Sequence, residues 1–593
     1  MSSLVSVTKK QFNENGHVEY GWEDKLTGKI VQFFFQLVRT DDTTKMERIL
    51  NDILLDIKHY EFSNMKNFVH LYKLIGQTRD IIAGKGEQDL AFMQLWVWWQ
   101  HYPKLAEYAF EQMVVLNGDV NSHPYGSWKD IKYWCRYVKK RSGNRNHPLI
   151  EKALAIAIVQ LNRDLKIYQE NSINKKKISL ISRWLPREKS SFGWVFKKMA
   201  LKMYGSFLDT AQSSEQTQKA KLKAYITLKK QLVRLSSSID TPQIKMCDGR
   251  WGGLEFNNVT TQTLRINRRS IMNLNKDNTT RSKKKDRKNC AENYYAHREA
   301  SKVDPKRHKI HGNRANVYEF VKDAMELKRT SQYQVTEEIR DNLNDQIDSI
   351  NLQWLSNKTN NRLKRRPIIS IVDTSYSMEV NNHTPLYNAV GLGIRTSELT
   401  HSAFKNRILT FSAIPRWVNL DDIKDNFVKK VWRVMDNNSC MNANFYRAMT
   451  MILNVIVEEE IPPFEVEGIT LAVFSAMQID VGDLNGVKYN DMKPMFKAIE
   501  KMYVEAGLRS VFKQPYQTPH ILFWNLLGTN GFPSKTSQKN VTFMSGYNSI
   551  LLDNFSNKGM EVIREYTPTT VLENMLDNPR LRCLEVRLMS EFA

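Results

Sequence analysis

The chain of 593 residues carries 87 lysines and arginines against 63 acidic residues, a formal net charge of +24 at pH 7. Its length exceeds what one hydrophobic core fills, so we expect at least two domains. Hydrophobic residues make up 41% of the chain and charged residues 25%, which is typical of folded proteins and argues against a mainly disordered one. Because no run of about 18 apolar residues occurs, the sequence predicts no membrane span.

Positive charge is concentrated in the first half of the sequence. Residues 1–345 hold 60 of the lysines and arginines and 38 of the acidic residues, so this part carries +22 and residues 346–593 carry +2. An asymmetry of this size favours an anionic partner for the first half, most commonly RNA or DNA. General solubility of a lysine-rich chain is the alternative interpretation.

The first half is predicted to consist of helical pairs. Apolar residues recur at three- and four-residue spacing over 65–75 and again over 128–138, the pattern of a helix with one buried face. A third run, Leu90–Trp99, contains three tryptophans that we expect in the core. Gly84-Lys85-Gly86 lacks the spacing of a phosphate-binding loop and is interpreted as a helix break. These pairs predict an irregular, HEAT-like repeat over residues 1–280.

Residues 281–345 are predicted to form a loosely ordered basic junction followed by a helix. Between Arg281 and Arg314 there are twelve lysines and arginines against four acidic residues. Such a stretch is either a solvated linker or a phosphate-binding arm whose Tyr294, Tyr295 and His297 stack on bases, and both interpretations stay open. The candidate phosphate contacts, here and in a second basic segment, are Lys283, Lys284, Lys285, Arg287, Lys288, Lys221, Lys223, Lys229, Lys230 and Arg234.

Residues 346–593 alternate strand-like and helical segments. Strands are predicted at 368–372, 407–411, 470–474, 520–524 and 541–544. Helical spacing occurs at 386–399, 445–460, 492–506 and 549–555. This alternation predicts an α/β domain with a doubly wound, Rossmann-like parallel sheet, so that the whole chain combines an α half with an α/β half.

One sharp motif follows the first of these strands. Asp373, Ser375 and Ser377 form Asp-x-Ser-x-Ser, which is typical of the first metal-binding loop of von Willebrand A domains. Magnesium prefers few carboxylates, hydroxyls and water, so these three residues are its candidate ligands. The loops that normally add a threonine and an aspartate carry Ala443 and Ala476 instead, which predicts either a degenerate magnesium site or a purely structural loop. Nearby aspartates that would compensate are Asp436, Asp480 and Asp483.

Several strings together resemble a known family. They are Phe33-Phe34-Phe35-Gln36-Leu37, Arg79–Glu87, Tyr125–Asp130, Lys245–Trp251, the Asp373 loop and Pro519–Leu526. Over nearly the whole chain the sequence resembles domain-of-unknown-function family 2828 of plants, fungi, amoebae and giant viruses. Its layout is similar to that of the Ro ribonucleoprotein autoantigen, in which TROVE helical repeats bind RNA and a von Willebrand A domain closes the ring. The resemblance implies an RNA-binding helical half and a von Willebrand A domain over 346–593.

The predicted function is therefore non-enzymatic RNA binding by a ribonucleoprotein component. The sequence has no G-x-S-x-G elbow, H-E-x-x-H pair or phosphate-binding loop. A protein-interaction or structural module acting through the von Willebrand A domain, such as a virion component, is the alternative. Five dispersed cysteines without a C-x-x-C pair favour a reducing compartment, so we expect a cytoplasmic or virion protein with RNA or a protein as its partner.

Overall fold

The structure, a computed structural model, describes most of the chain in segments. These are residues 9–12, 18–21, 25–59, 65–115, 123–170, 178–312, 315–332, 336–357, 367–398, 400–411, 414–437, 444–477, 483–484, 487–488, 492–528, 531, 534, 540–547 and 567–592. Contacts divide the chain into two compact units. Unit 1 comprises 1–71, 83–85 and 256–578, and unit 2 comprises 72–82, 86–255 and 579–593. The boundaries of these two units do not coincide with the domain boundaries that the sequence predicted.

The N-terminal half is mostly helical, as predicted. Its helices are α1 (Leu26–Gln36), α2 (Thr44–His59), α3 (Met65–Arg79), α4 (Gln88–His101), α5 (Pro103–Val114), α6 (Lys129–Ser142), α7 (Pro148–Gln169), α8 (Ile181–Trp184), α9 (Gly193–Tyr204), α10 (Ser214–Ile239), α11 (Pro242–Cys247), α12 (Thr261–Ile271) and α13 (Lys285–Val303). A short antiparallel pair, β1 (Lys9–Phe12) and β2 (Val18–Gly21), precedes them. The predicted helices at 65–75, 90–99 and 128–138 are confirmed within α3, α4 and α6.

The remaining elements follow in chain order. They are α14 (Val317–Ser331), α15 (Glu337–Asn357), β3 (Ile368–Asp373), α16 (Val380–Ser397), β4 (Arg407–Phe411), β5 (Arg416–Asn419), α17 (Phe427–Asp436), α18 (Phe445–Glu458), α19 (Pro463–Gly468), β6 (Thr470–Ser475), β7 (Asp483–Leu484), β8 (Val487–Lys488), α20 (Met492–Arg509), β9 (His520–Asn525), β10 (Val541–Ser545), α21 (Pro568–Leu576) and α22 (Arg582–Phe592). The five predicted strands and the helices at 386–399, 445–460 and 492–506 are confirmed. The predicted helix at 549–555 lies outside the described residues.

Unit 1 is built on a six-stranded mixed sheet flanked by helices. The strand order is β10-β9-β6-β3-β4-β5, and the first five strands run parallel. The edge strand β5 pairs antiparallel with β4, so the sheet is not wholly parallel as the sequence predicted. Strands β3, β6, β9 and β10 are buried along their length, which fits their continuous apolar sequences because both faces of the sheet are covered.

Two glycines bring α16 into close contact with its neighbours. A Cβ atom added at Gly393 would lie 2.4 Å from Val372 Cγ2 in β3, and one at Gly391 would lie 2.9 Å from Val317 Cβ in α14. On the opposite face of the sheet, the ring of Phe445 in α18 lies 6.1 Å from that of Phe411 and 5.9 Å from that of Phe523. Helices therefore cover both faces.

The chain reverses its direction of travel across the sheet next to β3. From β3 it proceeds to β4 and β5 on one side and then returns to β6 on the other side of β3. The carboxyl ends of β3 and β6, Asp373 and Ser475, consequently flank the point at which ligands bind in many open α/β sheets. Among the described helices of both units, none is sufficiently long and apolar to cross a membrane.

Candidate nucleic-acid interface

Helix α6 of unit 2 separates an apolar face from a cationic one. Ile131, Trp134 and Val138 are buried, and the Trp134 ring packs 5.4 Å from that of Phe110. This inner face accounts for the helical periodicity of the sequence. The outer face carries Lys132, Arg136, Lys139 and Lys140, whose spacing places them along one side of the helix.

The first turn of α6 is fixed by a buried ion pair. Arg79 Nη2 lies 2.8 Å from Asp130 Oδ2, and both side chains are almost fully buried. The backbone N–H of Ser127 also donates to this carboxylate, at 3.0 Å, and the amide of Gln88 donates to its other oxygen. A Cβ atom at Gly126 would lie only 2.0 Å from Asp130 Oδ2, so glycine is required there. Asp130 is the only acidic residue of α6. Because it is buried with Arg79 inside unit 2, it does not pair with the outer cations of the helix.

Outer cations of α6 lie over aromatic rings. Lys132 Nζ is 5.4 Å from the ring centroids of both Tyr133 and Trp184 and 5.8 Å from that of Phe192. Arg136 is 5.1 Å from the Tyr133 ring and 5.2 Å from the Phe192 ring. The Tyr133 and Phe192 rings meet edge to face at 5.5 Å, so the cations share one aromatic platform.

The same arrangement extends to both sides of this platform. Arg183 lies 4.8 Å from the ring of Trp184, the residue that follows it in α8. Lys139 and Arg145 each lie 5.6 Å from the ring of Trp194 at the start of α9. We call the whole set the cation–aromatic surface. Its members are Lys132, Tyr133, Arg136, Lys139, Arg145, Arg183, Trp184, Phe192 and Trp194, together with Arg187, whose charge acts on Lys132.

The cations of this surface have no acidic partners among the described residues. The acidic side chains of the surrounding helices are used elsewhere: Glu151 pairs with Lys198 and Lys202, and buried Asp164 accepts a hydrogen bond from Ser179. Residues 129–234 contain 25 lysines and arginines and only 7 acidic residues. Positive charge is thus greatest in this part of the helical half.

Burial and mutual repulsion both act on the cations of this surface. The pKa of Lys132 is lowered, first by burial and then by the neighbouring charges of Lys129 and Arg187. Burial also lowers the pKa of Arg183 and of Arg187. Arg187 donates to the hydroxyl of Ser236 at 3.3 Å, a neutral partner that leaves its charge uncompensated. A polyanion would relieve this repulsion, because each phosphate adds the negative charge that the surface lacks.

The five predicted contacts in α10 are also in unit 2. Lys223, Lys229, Lys230 and Arg234 are exposed and Lys221 is partly exposed. Lys223 Nζ lies 4.5 Å from the ring centroid of Phe207, which repeats the cation–aromatic pattern. Within the described part of the chain these five cations have no carboxylate at ion-pair distance. They remain candidate phosphate contacts.

The basic junction of unit 1 differs from its prediction. Residues 285–303 form the regular helix α13 with Cys290, Tyr294 and Arg298 buried in it, so the expectation of a loosely ordered stretch is wrong. Tyr294 is fully buried and shares a 2.6 Å hydrogen bond with Ser349, which excludes it from stacking on bases. The helix was not recognised in the sequence because its buried face has no large aliphatic residue and includes the polar Arg287, Arg298 and Ser301.

The predicted phosphate contacts of the junction separate into two groups. Lys283, Lys284, Lys285 and Lys288 are exposed. Arg287 is buried and donates to the backbone carbonyl of Ser270, so it is not a surface phosphate contact.

The Asp373 loop lies at the carboxyl end of β3, as predicted. Asp373 is 1% exposed, and its Oδ1 accepts from the backbone N–H of Ser375 at 2.9 Å. Its Oδ2 accepts from the hydroxyl of Ser475 at 2.5 Å, and the Ser375 and Ser377 hydroxyls lie 2.9 Å apart. Burial raises the pKa of Asp373, although these hydrogen bonds oppose the rise. Ser475, a residue that the sequence analysis did not select, thus completes the carboxylate's contacts.

Protein donors already satisfy both oxygens of Asp373, which fits a structural loop better than a magnesium site. Over the described residues there is no cluster of three or more His, Cys, Asp or Glu that would hold a metal ion. Asp436 is occupied by an ion pair with Lys328. Ala476 is buried beside the loop, whereas Ala443 and Asp480 lie outside the described residues, as does the side chain of Asp483. Magnesium binding stays a prediction.

Comparison with known proteins gives one result for part of the chain. Residues 367–580 match the model of a family described as a domain of unknown function, DUF7788. This similarity spans the sheet of unit 1 from β3 to β10 and about a third of the chain, and it does not extend to the cation–aromatic surface. No curated protein matches the chain.

Proposed function

We propose that this protein binds RNA without catalysing a reaction, and that the cation–aromatic surface of unit 2 is the binding site. The observation that carries the proposal is a set of exposed and half-buried cations that lie over aromatic rings with no carboxylate beside them in the described structure. Cations that serve stability are usually paired, because an unpaired cluster repels itself. A surface that keeps this repulsion is suited to a ligand with repeated negative charge.

The aromatic rings favour nucleic acid over a simple polyanion. Trp184, Phe192 and Trp194 are only partly buried, so each presents part of a flat apolar surface beside its cation. Bases of unpaired nucleic acid stack on such rings while the neighbouring cations hold the backbone phosphates. The exposed lysines of α10 extend the positive field. We take RNA as the ligand because the layout of the chain resembles that of the Ro autoantigen. In this proposal a HEAT-like or TROVE-like helical repeat bears the binding surface.

The test measures binding of a fluorescein-labelled unpaired RNA of about 20 nucleotides. Fluorescence anisotropy is recorded at salt concentrations from about 50 to about 200 mM, where displaced counterions make affinity fall steeply. In a variant with Lys132→Glu and Arg136→Glu we expect affinity to fall at least about tenfold and the salt slope to decrease by about two or more.

A matched control carries the same charge change elsewhere. Lys285→Glu with Lys288→Glu reverses two exposed cations of α13. We expect this variant to lose much less affinity. Binding by the parent protein that is independent of salt would contradict the proposal, as would equal losses in the two variants.

A second candidate function is a protein contact at the Asp373 loop, which we propose to belong to a von Willebrand A domain. Tyr376 is 73% exposed between Ser375 and Ser377, so an aromatic side chain projects beside two hydroxyls. Such a residue suits a protein partner in the cytoplasm or in a virion. A partner that is lost on Tyr376→Ala, while RNA binding stays unchanged, would favour this function.

A further inference from the structure

Helix α10 exposes a second apolar face that the packing of unit 2 does not use. Leu222, Ile226 and Val233 are 54%, 52% and 52% exposed, and their spacing aligns them along one side of the helix. The opposite side is the buried one, and its apolar members are Ala220, Ala224, Leu228, Leu232 and Leu235. We call the three exposed aliphatic residues the α10 stripe. Because the helix has already buried one face, the stripe indicates an external partner.

Cations flank this stripe. Lys223, Lys230 and Arg234 follow one of its edges and Lys229 the other, all exposed. A phosphate backbone gains nothing from contact with aliphatic side chains. A protein surface that combines apolar and acidic residues, by contrast, complements both the aliphatic stripe and the flanking cations of α10. The partner should therefore present an exposed apolar residue surrounded by carboxylates.

Unit 1 of the same chain presents such a surface at residues 457–467. Phe464 is 74% exposed and Val457 38% exposed. Around them the sequence places five glutamates, namely Glu458, Glu459, Glu460, Glu465 and Glu467. Buried Ile461 and Val466 anchor the segment, which leaves Phe464 directed outward.

The charge of the 457–467 segment is only partly compensated. Glu459 lies 3.8 Å from Arg407, and Glu465 contacts His401 at 2.9 Å. Glu458 and Glu460 are exposed and have no basic partner within the described residues. The segment thus offers an aromatic residue, an aliphatic residue and free carboxylates, the complement of the α10 stripe and its cations.

We infer that the α10 stripe of one molecule binds the 457–467 segment of a second copy of this chain. The two surfaces differ, so the contact is heterologous and each bound pair retains one free surface of each kind. Association then continues into a ring or a longer assembly. With few apolar residues on each side, we expect a dissociation constant on the order of micromolar.

The experiment is sedimentation velocity on the full chain freed of nucleic acid, over a range of protein concentrations. We expect the parent to form species larger than a monomer, less so at high salt. Phe464→Ser removes the centre of one surface, and Leu222→Ser with Ile226→Ser removes the other. Each variant should associate at least about tenfold more weakly than the parent. All three residues are exposed, and unchanged circular dichroism melting verifies folding.

Mixing the two variants gives the decisive observation. One retains an intact α10 stripe and the other an intact 457–467 segment, so the mixture should form dimers and nothing larger. Leu508→Ser, which alters an equally exposed aliphatic residue of α20, should associate like the parent. A parent that stays monomeric, a mixture that does not dimerise, or variants that associate like the parent would each overturn the inference. At protein concentrations at which the parent is monomeric, RNA affinity should be unchanged in both variants, because neither removes a cation; this separates the inference from the proposed function.

Discussion

Two basic regions of the molecule use their cations in opposite ways. In unit 1, Arg265 pairs with Glu319 at 2.9 Å and with Asp323 at 3.0 Å, while Arg298 pairs with Asp345 at 2.7 Å. In unit 2, Lys132 and Arg136 of α6 and Arg183 of α8 lie over aromatic rings, and no carboxylate accompanies these three cations in the described structure. Helices α14 and α15 supply the acids in unit 1, whereas the described helices of unit 2 place no acid beside Lys132, Arg136 or Arg183.

The comparison teaches that a count of positive residues does not locate a binding surface. Residues 281–314 are the more conspicuous basic stretch in the sequence, yet Arg287 and Arg298 there are buried and bonded within unit 1. Residues 129–234 are basic over a longer range and have few acids with which to pair. The availability of acidic partners, which depends on the fold, separates structural cations from ligand-binding ones.

The largest effect is expected where an acid is removed from inside unit 2. Asp130→Ala should lower the free energy of unfolding by about 3–5 kcal/mol, because it leaves the buried Arg79 guanidinium without its partner. Urea unfolding followed by circular dichroism measures the change. Lys166→Ala, which breaks an exposed pair with Glu170, should cost about 0.5 kcal/mol or less. Similar losses in the two variants would contradict the distinction between buried and exposed pairs.

A smaller loss is expected from the paired cations of unit 1. Asp323→Ala leaves Arg265 and Arg268 facing each other without their shared carboxylate, and we expect a loss of about 2–3 kcal/mol in urea unfolding. High salt should recover part of the loss, since the remaining repulsion is partly exposed to solvent. If Asp323→Ala unfolds like the parent, the acids of α14 do not neutralise this region as the comparison requires.

Removing a ring of the aromatic platform should lower RNA affinity without changing how steeply that affinity falls with salt. Trp184→Ala removes a ring and no charge, so we expect affinity for unpaired RNA to fall by about 1–2 kcal/mol with an unchanged salt slope. Lys132→Gln, by contrast, should decrease the slope by about one. Anisotropy titrations at several salt concentrations measure both quantities. A changed slope in Trp184→Ala would mean that the ring acts only by placing the cations.

The smallest effect is expected in the junction. Lys283→Gln with Lys284→Gln removes two exposed cations that have no aromatic contact in the described structure, and RNA affinity should fall less than about threefold at physiological salt. The same titration measures it. A loss as large as that of the Lys132 and Arg136 variant would instead indicate that the junction is a phosphate-binding arm.

Periodicity predicted most of the architecture because it reports burial directly. The strands at β3, β4, β6, β9 and β10 are buried on both faces and therefore read as continuous apolar runs. Strand β5 was missed, since it is a four-residue edge strand in which only Val418 is buried. Helix α13 was misjudged because its inner face mixes Arg287, Arg298 and Ser301 with Cys290, Ala291 and Tyr294 and has no large aliphatic residue.

The candidate site was predictable only in part. The lysines of α10 stand close together in the sequence, whereas Lys132, Arg183 and Phe192 meet only after folding. A usable signal was present in α6, where four cations occupy one helical face opposite buried Trp134. Ser475 carried no such signal, because a serine at the end of a strand is common and only parallel pairing places it beside Asp373.

The order in which the chain is synthesised has a consequence for unit 2. Its carboxyl-terminal segment supplies Arg580, which holds Asp80 through two hydrogen bonds of 2.6 and 2.9 Å and receives the hydroxyl of Tyr125 on its backbone carbonyl. A ribosome must translate residues 256–578 before this segment emerges. The helices of unit 2 that precede Glu255 therefore lack these contacts until the carboxyl-terminal segment has been synthesised. In a prematurely terminated polypeptide they would stay exposed to chaperones and proteases.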